Sequence, residues 1–179
     1  SSPNTPGLRG LQDRDALQIL LRKLRDARAK FPVTPPLLLK IAPDLDKRAL
    51  ADVVDVALAS HIDGLIISNT TITRDQRLQN PHRDQQGGLS GRPLYALSTN
   101  MLRQANRMSR GKLPLVGVGG VSNGADAYGK IRAGASLVQL YTAMTFDGPA
   151  LARTIAVELA ELLARDGFAN VSDAVGADV

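Results

Sequence analysis

The sequence predicts an α/β chain that supplies the C-terminal half of a parallel (β/α)8 barrel. Short apolar runs bounded by proline and glycine alternate with longer segments of helical periodicity, the pattern of parallel strands joined by crossover helices. A dinucleotide-binding sheet would carry a Gly-x-Gly-x-x-Gly fingerprint, and Gly117-Val118-Gly119-Gly120 lacks the third glycine at the required offset. Strand-to-strand spacings of about 25 to 50 residues suit the barrel. A complete TIM barrel needs eight strands and about 250 residues, whereas this chain has 179 residues and four strand-like runs. It also opens, without an initiator Met, inside the turn-forming segment Ser1-Ser2-Pro3-Asn4-Thr5-Pro6-Gly7. The expectation is therefore a fragment, residues 1–179 forming the C-terminal part of one barrel domain whose N-terminal half lies outside it.

Each element has its own signal. Leu17, Leu20, Leu21, Leu24 and Ala27 recur at helical spacing and predict a helix over Asp13–Lys30, ended by Pro32, Pro35 and Pro36. The run from Leu37 to Ile41, closed by Pro43, reads as a buried parallel strand. Asp46 is placed to cap the helix that follows, through Ser60. Gly64–Ser68 is the second strand, and a long polar stretch runs from Thr70 to Gly91. Pro93 suits the first turn of a helix to Arg110. Leu115–Val118 and Leu137–Leu140 are the remaining strands, with helices over Asn123–Arg132 and Pro149–Ala164, and the tail from Asn170 reads as frayed.

Composition narrows the function. The chain is 44% hydrophobic and 22% charged with a net charge of +5, and no apolar run approaches the length of a membrane span. Ser1-Ser2-Pro3-Asn4 has neither the basic nor the apolar region of a signal peptide. Basic residues are scattered over helices, as in Arg22, Lys23, Arg25 and Arg28, and aromatics are only 3%, which argues against nucleic acid as a partner. Without cysteine there is no disulfide, thiolate nucleophile or Cys-ligated metal. The two histidines, His61 and His82, fall beyond a helix end and in a polar loop, and no metal-ligand spacing occurs.

Barrel sites lie at the carboxyl ends of strands. Those ends give Lys40, then Ser68-Asn69-Thr70, then Gly119-Gly120, then Tyr141-Thr142. Gly119-Gly120-Val121-Ser122-Asn123 leads into a helix start, so its backbone N–H groups suit a phosphate; the plain alternative is a tight turn with no ligand. Pairing with the neighbouring Tyr141-Thr142 strand end favours the phosphate. Lys40 in an otherwise apolar strand either snorkels to solvent or meets an anion, and its place on the site face favours the anion. Asn69 can read an amide-bearing ring or simply hold its loop. Ser2 has no acidic or His neighbour in sequence, so on its residues alone it reads as a turn serine.

The segment Ser1-Ser2-Pro3-Asn4-Thr5-Pro6-Gly7-Leu8-Arg9 closely resembles the catalytic loop of class 2, quinone-dependent dihydroorotate dehydrogenases. The likeness continues in order through Leu39–Leu45, Asp63–Thr71, Gly87–Leu94, Val118–Ser122 and Gln139–Thr142. The resemblance implies an FMN-dependent oxidoreductase acting on a CH-CH bond, oxidising dihydroorotate to orotate in pyrimidine biosynthesis with quinone as electron acceptor. Ser2 then resembles the base that removes the C5 proton while hydride leaves C6 for the flavin. Ser1, Ser2, Asn4, Asn69 and Thr70 resemble the substrate-binding set. Lys40, Ser68, Gly91, Gly120, Tyr141 and Thr142 resemble FMN contacts, the last three near its phosphate; many relatives carry Thr where Ser68 stands. Class 1 relatives carry cysteine in the base position, and this chain has none. A water or a neighbouring threonine, with Thr5 as one candidate, would relay the proton from Ser2. The class also implies peripheral association of the full-length protein with the cytoplasmic face of a bacterial inner membrane, or with the mitochondrial inner membrane in a eukaryote, through an N-terminal segment.

Two other readings stay open on the sequence. A flavin-free phosphate-binding barrel lyase or isomerase would use Lys40 as a base or Schiff-base nucleophile. Alternatively the chain is an inactive truncated piece whose half-sheet, open at both edges, associates with itself.

Overall fold

The computed structural model describes residues 1–5, 7–76 and 78–179. Pro6 of the opening motif and Arg77 of the polar stretch lie outside the described residues. The helices are α1 (Arg14–Arg28), α2 (Lys47–Ala59), α3 (Tyr95–Ser109), α4 (Gly124–Arg132), α5 (Thr142–Asp147), α6 (Leu151–Arg165) and α7 (Val171–Ala174). The strands are β1 (Leu38–Ile41), β2 (Gly64–Ile67), β3 (Leu115–Val118) and β4 (Leu137–Gln139).

The four strands form one sheet in the order β1-β2-β3-β4. Every pairing is parallel, with Lys40 beside Ile66, Ile66 beside Val116 and Val116 beside Leu137. Strands that neighbour in sequence also neighbour in space, and no pair reverses the order. A doubly wound sheet would contain such a switch; a barrel wall does not. The described residues thus form four βα units of a parallel β/α barrel.

Period-two alternation along the strands decides what is buried. Ile41, Leu65, Ile67 and Leu115 point to the helices and form a core with Leu50, Val53 and Val54 of α2 and Leu102 and Ala105 of α3. Leu38 and Lys40 take the opposite face of β1 and are exposed, as is Leu137 on β4 at 65%. A second core under β4 joins Val121, Ala127, Leu151 and Ile155, and a third joins Tyr128, Ile131, Leu163 and Ala174. On the inner face the residues of the edge strands are exposed, whereas Ile66 is half-buried and Val116 buried, so the two edges are what this half leaves open.

The cap expected at Asp46 is formed, and Asn123, read only as a helix start, proves to be a second. Asp46 accepts the Ala49 N–H at 2.8 Å, and Asn123 accepts that of Asp126 at 2.8 Å. Pro93 lies in a 3-10 turn over Arg92–Leu94 that leads into α3. Three expectations need correction. On α1 only Leu17 and Leu21 are buried, and Leu24 of the supposed apolar face is exposed. The short helix α5 stands between β4 and the last long helix, which begins at Leu151 rather than Pro149. The tail from Asn170 is not frayed: Asn170 caps α7, Ala174 is fully buried, and Arg132 Nη2 donates to Asp178 at 2.5 Å. These contacts tie the chain's end to α4. The long polar stretch carries a single bridge, Thr71 to Leu89, as its only pairing among the described residues.

Candidate functional site

The carboxyl ends of all four strands border one cavity of about 620 Å³. Lys40, Ser68, Asn69, Thr70, Gly91, Gly120, Tyr141 and Thr142, singled out from the sequence as strand-end or loop residues, all line it. Lys40 on β1 and Thr142 just past β4 lie at opposite ends of the strand row that borders it. The volume and the mixed lining are those of a small-ligand site.

On the β1–β2 side, Lys40 is the penultimate residue of its strand, not the last, and shares the inward face with Ile66. Ser68 is buried; its N–H donates to the Val118 carbonyl at 3.2 Å and its hydroxyl to the Asn69 carbonyl at 2.9 Å. Asn69 uses both ends of its amide within the protein. Its Oδ1 accepts the Thr70 N–H at 2.8 Å, and its Nδ2 donates to Ser1 Oγ at 3.1 Å. The loop-holding role weighed for Asn69 is thus observed, and it ties the β2 end to the opening segment.

Ser1, Ser2 and Asn4 are not among the residues that line the cavity; Ser1 meets it through its bond with Asn69, and Asn4 Oδ1 lies 3.4 Å from where a Cβ on Gly87 would stand. Ser2 Oγ accepts the Asn4 N–H at 3.2 Å, the local turn bond expected of a serine in such a segment. The loop over residues 87–91 folds against the same segment, since a side chain on Gly88 would strike Thr70 and come within 3.0 Å of Pro3 Cγ.

A carboxylate that sequence reading gave no role holds this region together. Asp44, just past β1, accepts from Arg9 Nη1 at 2.8 Å, Thr73 Oγ1 at 3.2 Å and the Ile72 N–H at 3.3 Å, and also from Thr71 Oγ1. Arg9 Nη2 reaches on to the Thr70 carbonyl at 3.1 Å. Burial works to raise the Asp44 pKa, but the bonds from Thr71, Arg9 and the Ile72 N–H outweigh it and hold the carboxyl below its ordinary range. Farther out, Arg74 Nε donates to the Arg83 carbonyl and Nη2 to those of Gln85 and Gly87, each at 2.8 Å. The long polar stretch is therefore fastened by side chains rather than by a sheet.

On the β3–β4 side the glycine turn departs from the reason first given for it. Gly119 and Gly120 have φ of 105° and 78°, values that disfavour any residue with a Cβ. A Cβ on Gly120 would stand 2.6 Å from the Tyr95 N and Cα, so close packing of the α3 start demands glycine here whatever the ligand. Thr142 Oγ1 donates to Ser90 Oγ at 3.0 Å and joins the Gly91 loop to the start of α5. Tyr141 is 83% exposed. His61 and His82 are exposed, and the described residues hold no cluster of metal-ligating side chains.

Lys130 was missed altogether. It lies behind the glycine turn on α4, with no exposed surface and its ammonium 2.5 Å from Ser98 Oγ. The one available signal was weak: Lys130 is three residues past buried Ala127, on the same flank of its helix.

A cavity at the carboxyl ends of a parallel strand row, with a glycine turn on one side and a lysine on the other, defines the ligand-binding portion of a β/α-barrel protein. The chain belongs to the dihydroorotate dehydrogenase family, whose sequence profile matches residues 1–163. It is 57% identical over 183 residues to the mitochondrial dihydroorotate dehydrogenase (quinone) of Oryza sativa subsp. japonica, covering 99% of this chain and 39% of that protein. Identity to the dihydroorotate dehydrogenase (quinone) of Parvibaculum lavamentivorans is 56% over 180 residues, covering 100% of this chain and 51% of the relative. A crystal structure of the Eimeria tenella enzyme in complex with ferulenol superposes with a TM-score of 0.96 at 40% identity, covering 99% of this chain and 52% of that one. The chain thus spans about half the length, or less, of the curated relatives it matches.

Proposed function

We propose that this chain is the C-terminal part of a class 2 dihydroorotate dehydrogenase, a single FMN-binding barrel domain that oxidises dihydroorotate to orotate and passes the electrons to a quinone in pyrimidine biosynthesis. The observation that carries the reading is the convergence of Lys40, Ser68, Gly120, Tyr141 and Thr142 on one cavity, in a chain whose family consists of flavin enzymes. The donor set suits a flavin mononucleotide. Lys40 and Ser68 would meet the flavin, Gly91 would add a further contact, and Gly120, Tyr141 and Thr142 would lie near its phosphate. Bound FMN supplies a two-electron acceptor for the hydride that leaves C6 of the substrate.

The chain's own residues do the rest. Ser2 takes the C5 proton, and because a serine is a weak base that proton must pass onward, by water or by exposed Thr5. Ser1, Asn4, Asn69 and Thr70 bind the substrate ring and carboxylate. The bond between Asn69 and Ser1 links the base-bearing segment to the β2 end. Lys40 would favour negative charge on a reduced flavin bound in the cavity it lines. Peripheral membrane association, bacterial or mitochondrial, belongs to the quinone-dependent class and would reside in sequence beyond this chain; among the described residues no helix is long and apolar enough to cross a membrane.

The test uses the intact protein that carries this chain. It is expected to be yellow, and Ser2→Ala is expected to keep the flavin while orotate formation falls by about 10²- to 10⁴-fold. A colourless intact protein that takes up no flavin would sink the reading. The lyase or isomerase alternative gains no support from the two relatives named above, both of which carry the dehydrogenase name.

A further inference from the structure

The proposed reaction leaves Lys130 without a task. Its stem fills the space that Gly117 leaves open, since a Cβ on Gly117 would stand 3.1 Å from both Cβ and Cδ of Lys130. Its ammonium donates to Ser98 Oγ at 2.5 Å, lies 3.4 Å from the Val118 carbonyl and sits 5.0 Å from the Tyr95 ring centroid. Ser98 Oγ in turn stands 3.2 Å from the carbonyls of both Gly119 and Tyr95, between which its single proton is shared. Lys130 therefore reaches both residues that enter the glycine turn, one directly and one through a hydroxyl.

The charged and titratable groups around it do not neutralise it by contact. On its own helix, Asp126 is bonded to the Ser122 N–H and hydroxyl at 2.9 and 2.8 Å. Tyr95 of α3 gives its hydroxyl to the Asp126 carbonyl at 3.2 Å, and burial raises its pKa, with Arg103 working weakly the other way. Glu158 of α6 is bonded to the Gly124 N–H at 2.5 Å, at the start of α4. From β3 come only Gly117 and the Val118 carbonyl. A buried ammonium without a bonded carboxylate is costly, and here it stands directly behind a turn that faces a cavity.

We propose that Lys130 is a positioning residue for the flavin phosphate: it fixes the Val118–Gly120 backbone through Ser98 and supplies the buried positive charge that answers the phosphate from behind the turn. The inference rests on the flavin reading above. The peptide plane carries the first part. With the Gly119 carbonyl held toward Ser98, a planar trans peptide aims the Gly120 N–H the opposite way, toward the cavity that Gly120 lines. The second part is electrostatic. Burial lowers the Lys130 pKa to about 7, with Asp126 opposing the shift. A phosphate dianion favours the ammonium form, so binding draws a proton onto Lys130. Because the second ionisation of a phosphate monoester lies near pH ~6, the ligand's own charge is constant above neutrality, and any loss of phosphate affinity there reports on the protein.

The experiment titrates the intact, flavin-stripped protein with FMN and with riboflavin, which lacks the phosphate, and follows flavin fluorescence. The preference for FMN over riboflavin is expected to fall between about pH 7 and about pH 9, by at most about tenfold per unit. Lys130→Met is expected to lower that preference by about tenfold at neutral pH and to flatten its pH dependence, with riboflavin affinity within about twofold of the parent. Ser98→Ala keeps the charge and is expected to lower the preference while retaining the pH dependence. A parent protein whose preference does not change with pH overturns the inference, as does a Lys130→Met protein that loses both flavins equally, which would mark a packing role alone. Should Lys130→Met fail to fold, the parent profile and Ser98→Ala decide. A protein that binds neither flavin refutes the flavin reading itself and takes this inference with it.

Discussion

Lys130 is the one charged side chain fully buried among the described residues, and its cost should be measurable without any ligand. In the unfolded chain a lysine stays protonated to its ordinary pKa of 10.5, whereas the buried one gives up its proton near 7. Between those values the unfolded state binds more protons, so the folded state gains stability as pH rises, by up to about 1.4 kcal/mol per unit from this group. Urea unfolding of the flavin-free intact protein should show that gain between about pH 7 and about pH 9, and Lys130→Met should remove it. Asp44 has the opposite sign. Its folded pKa is depressed by Thr71, Arg9 and the Ile72 N–H despite partial burial, so its contribution is present above the unfolded value of 3.8 and lost as pH falls through the folded one. Asp44→Asn should cost about 1 to 3 kcal/mol at neutral pH and blunt the loss in acid, because an amide cannot accept all the bonds that converge there. Equal stability of parent and variant in urea at neutral pH would show that Arg9 and the threonines hold the segment without it.

At the scale of elements, the glycine turn joins strand, helix start and site in five residues. Gly120→Ala would force a Cβ into a left-handed conformation and to within 2.6 Å of the Tyr95 backbone. Such strain costs about 1 to 3 kcal/mol before the clash is relieved, so the variant should unfold at lower urea and lose flavin together. Retained flavin at lowered stability would separate the turn's packing role from its ligand role. The same turn shows what a sequence can announce. The apolar runs of β1 to β4 and the capping residue Asp46 declare themselves locally, and the residues just past each strand followed from the barrel's geometry. Helix α5 did not, because it has no side-chain cap and no buried residue. Helix α7 is only Val171–Ala174, too short for a periodicity to show. Lys130 was hidden for another reason: its burial is set by Gly117 and Ser98, which lie far away in the chain. The roles of Ser2 and Asn4 came from resemblance, since their only local signal is a turn.

At the scale of the whole molecule, half a barrel has surfaces that nothing in these residues covers. Strand β1 presents Leu38 and Lys40 with its outer edge unpaired, and β4 does the same with Leu137, 65% exposed. Beside β4, Tyr141 and Phe146 are 83% and 82% exposed. In a closed barrel both edges are paired and the inner face is filled by side chains of the other strands. Residues 1–179 alone therefore carry two unpaired parallel edges into solvent, with Leu38 and Leu137 exposed on them, the combination that invites edge-to-edge pairing. The isolated chain should sediment as dimers or larger species whose proportion rises with concentration, and should bind flavin weakly or not at all. Coexpression with the family's N-terminal half should shift it to a defined complex that holds flavin. The unpaired edges set the expected order of events: strand pairing first, then the glycine turn's access to its ligand. A stable monomer that unfolds cooperatively would mean that α1 to α7 and the three cores suffice to hold this half, and that the open edges are protected by their own twist.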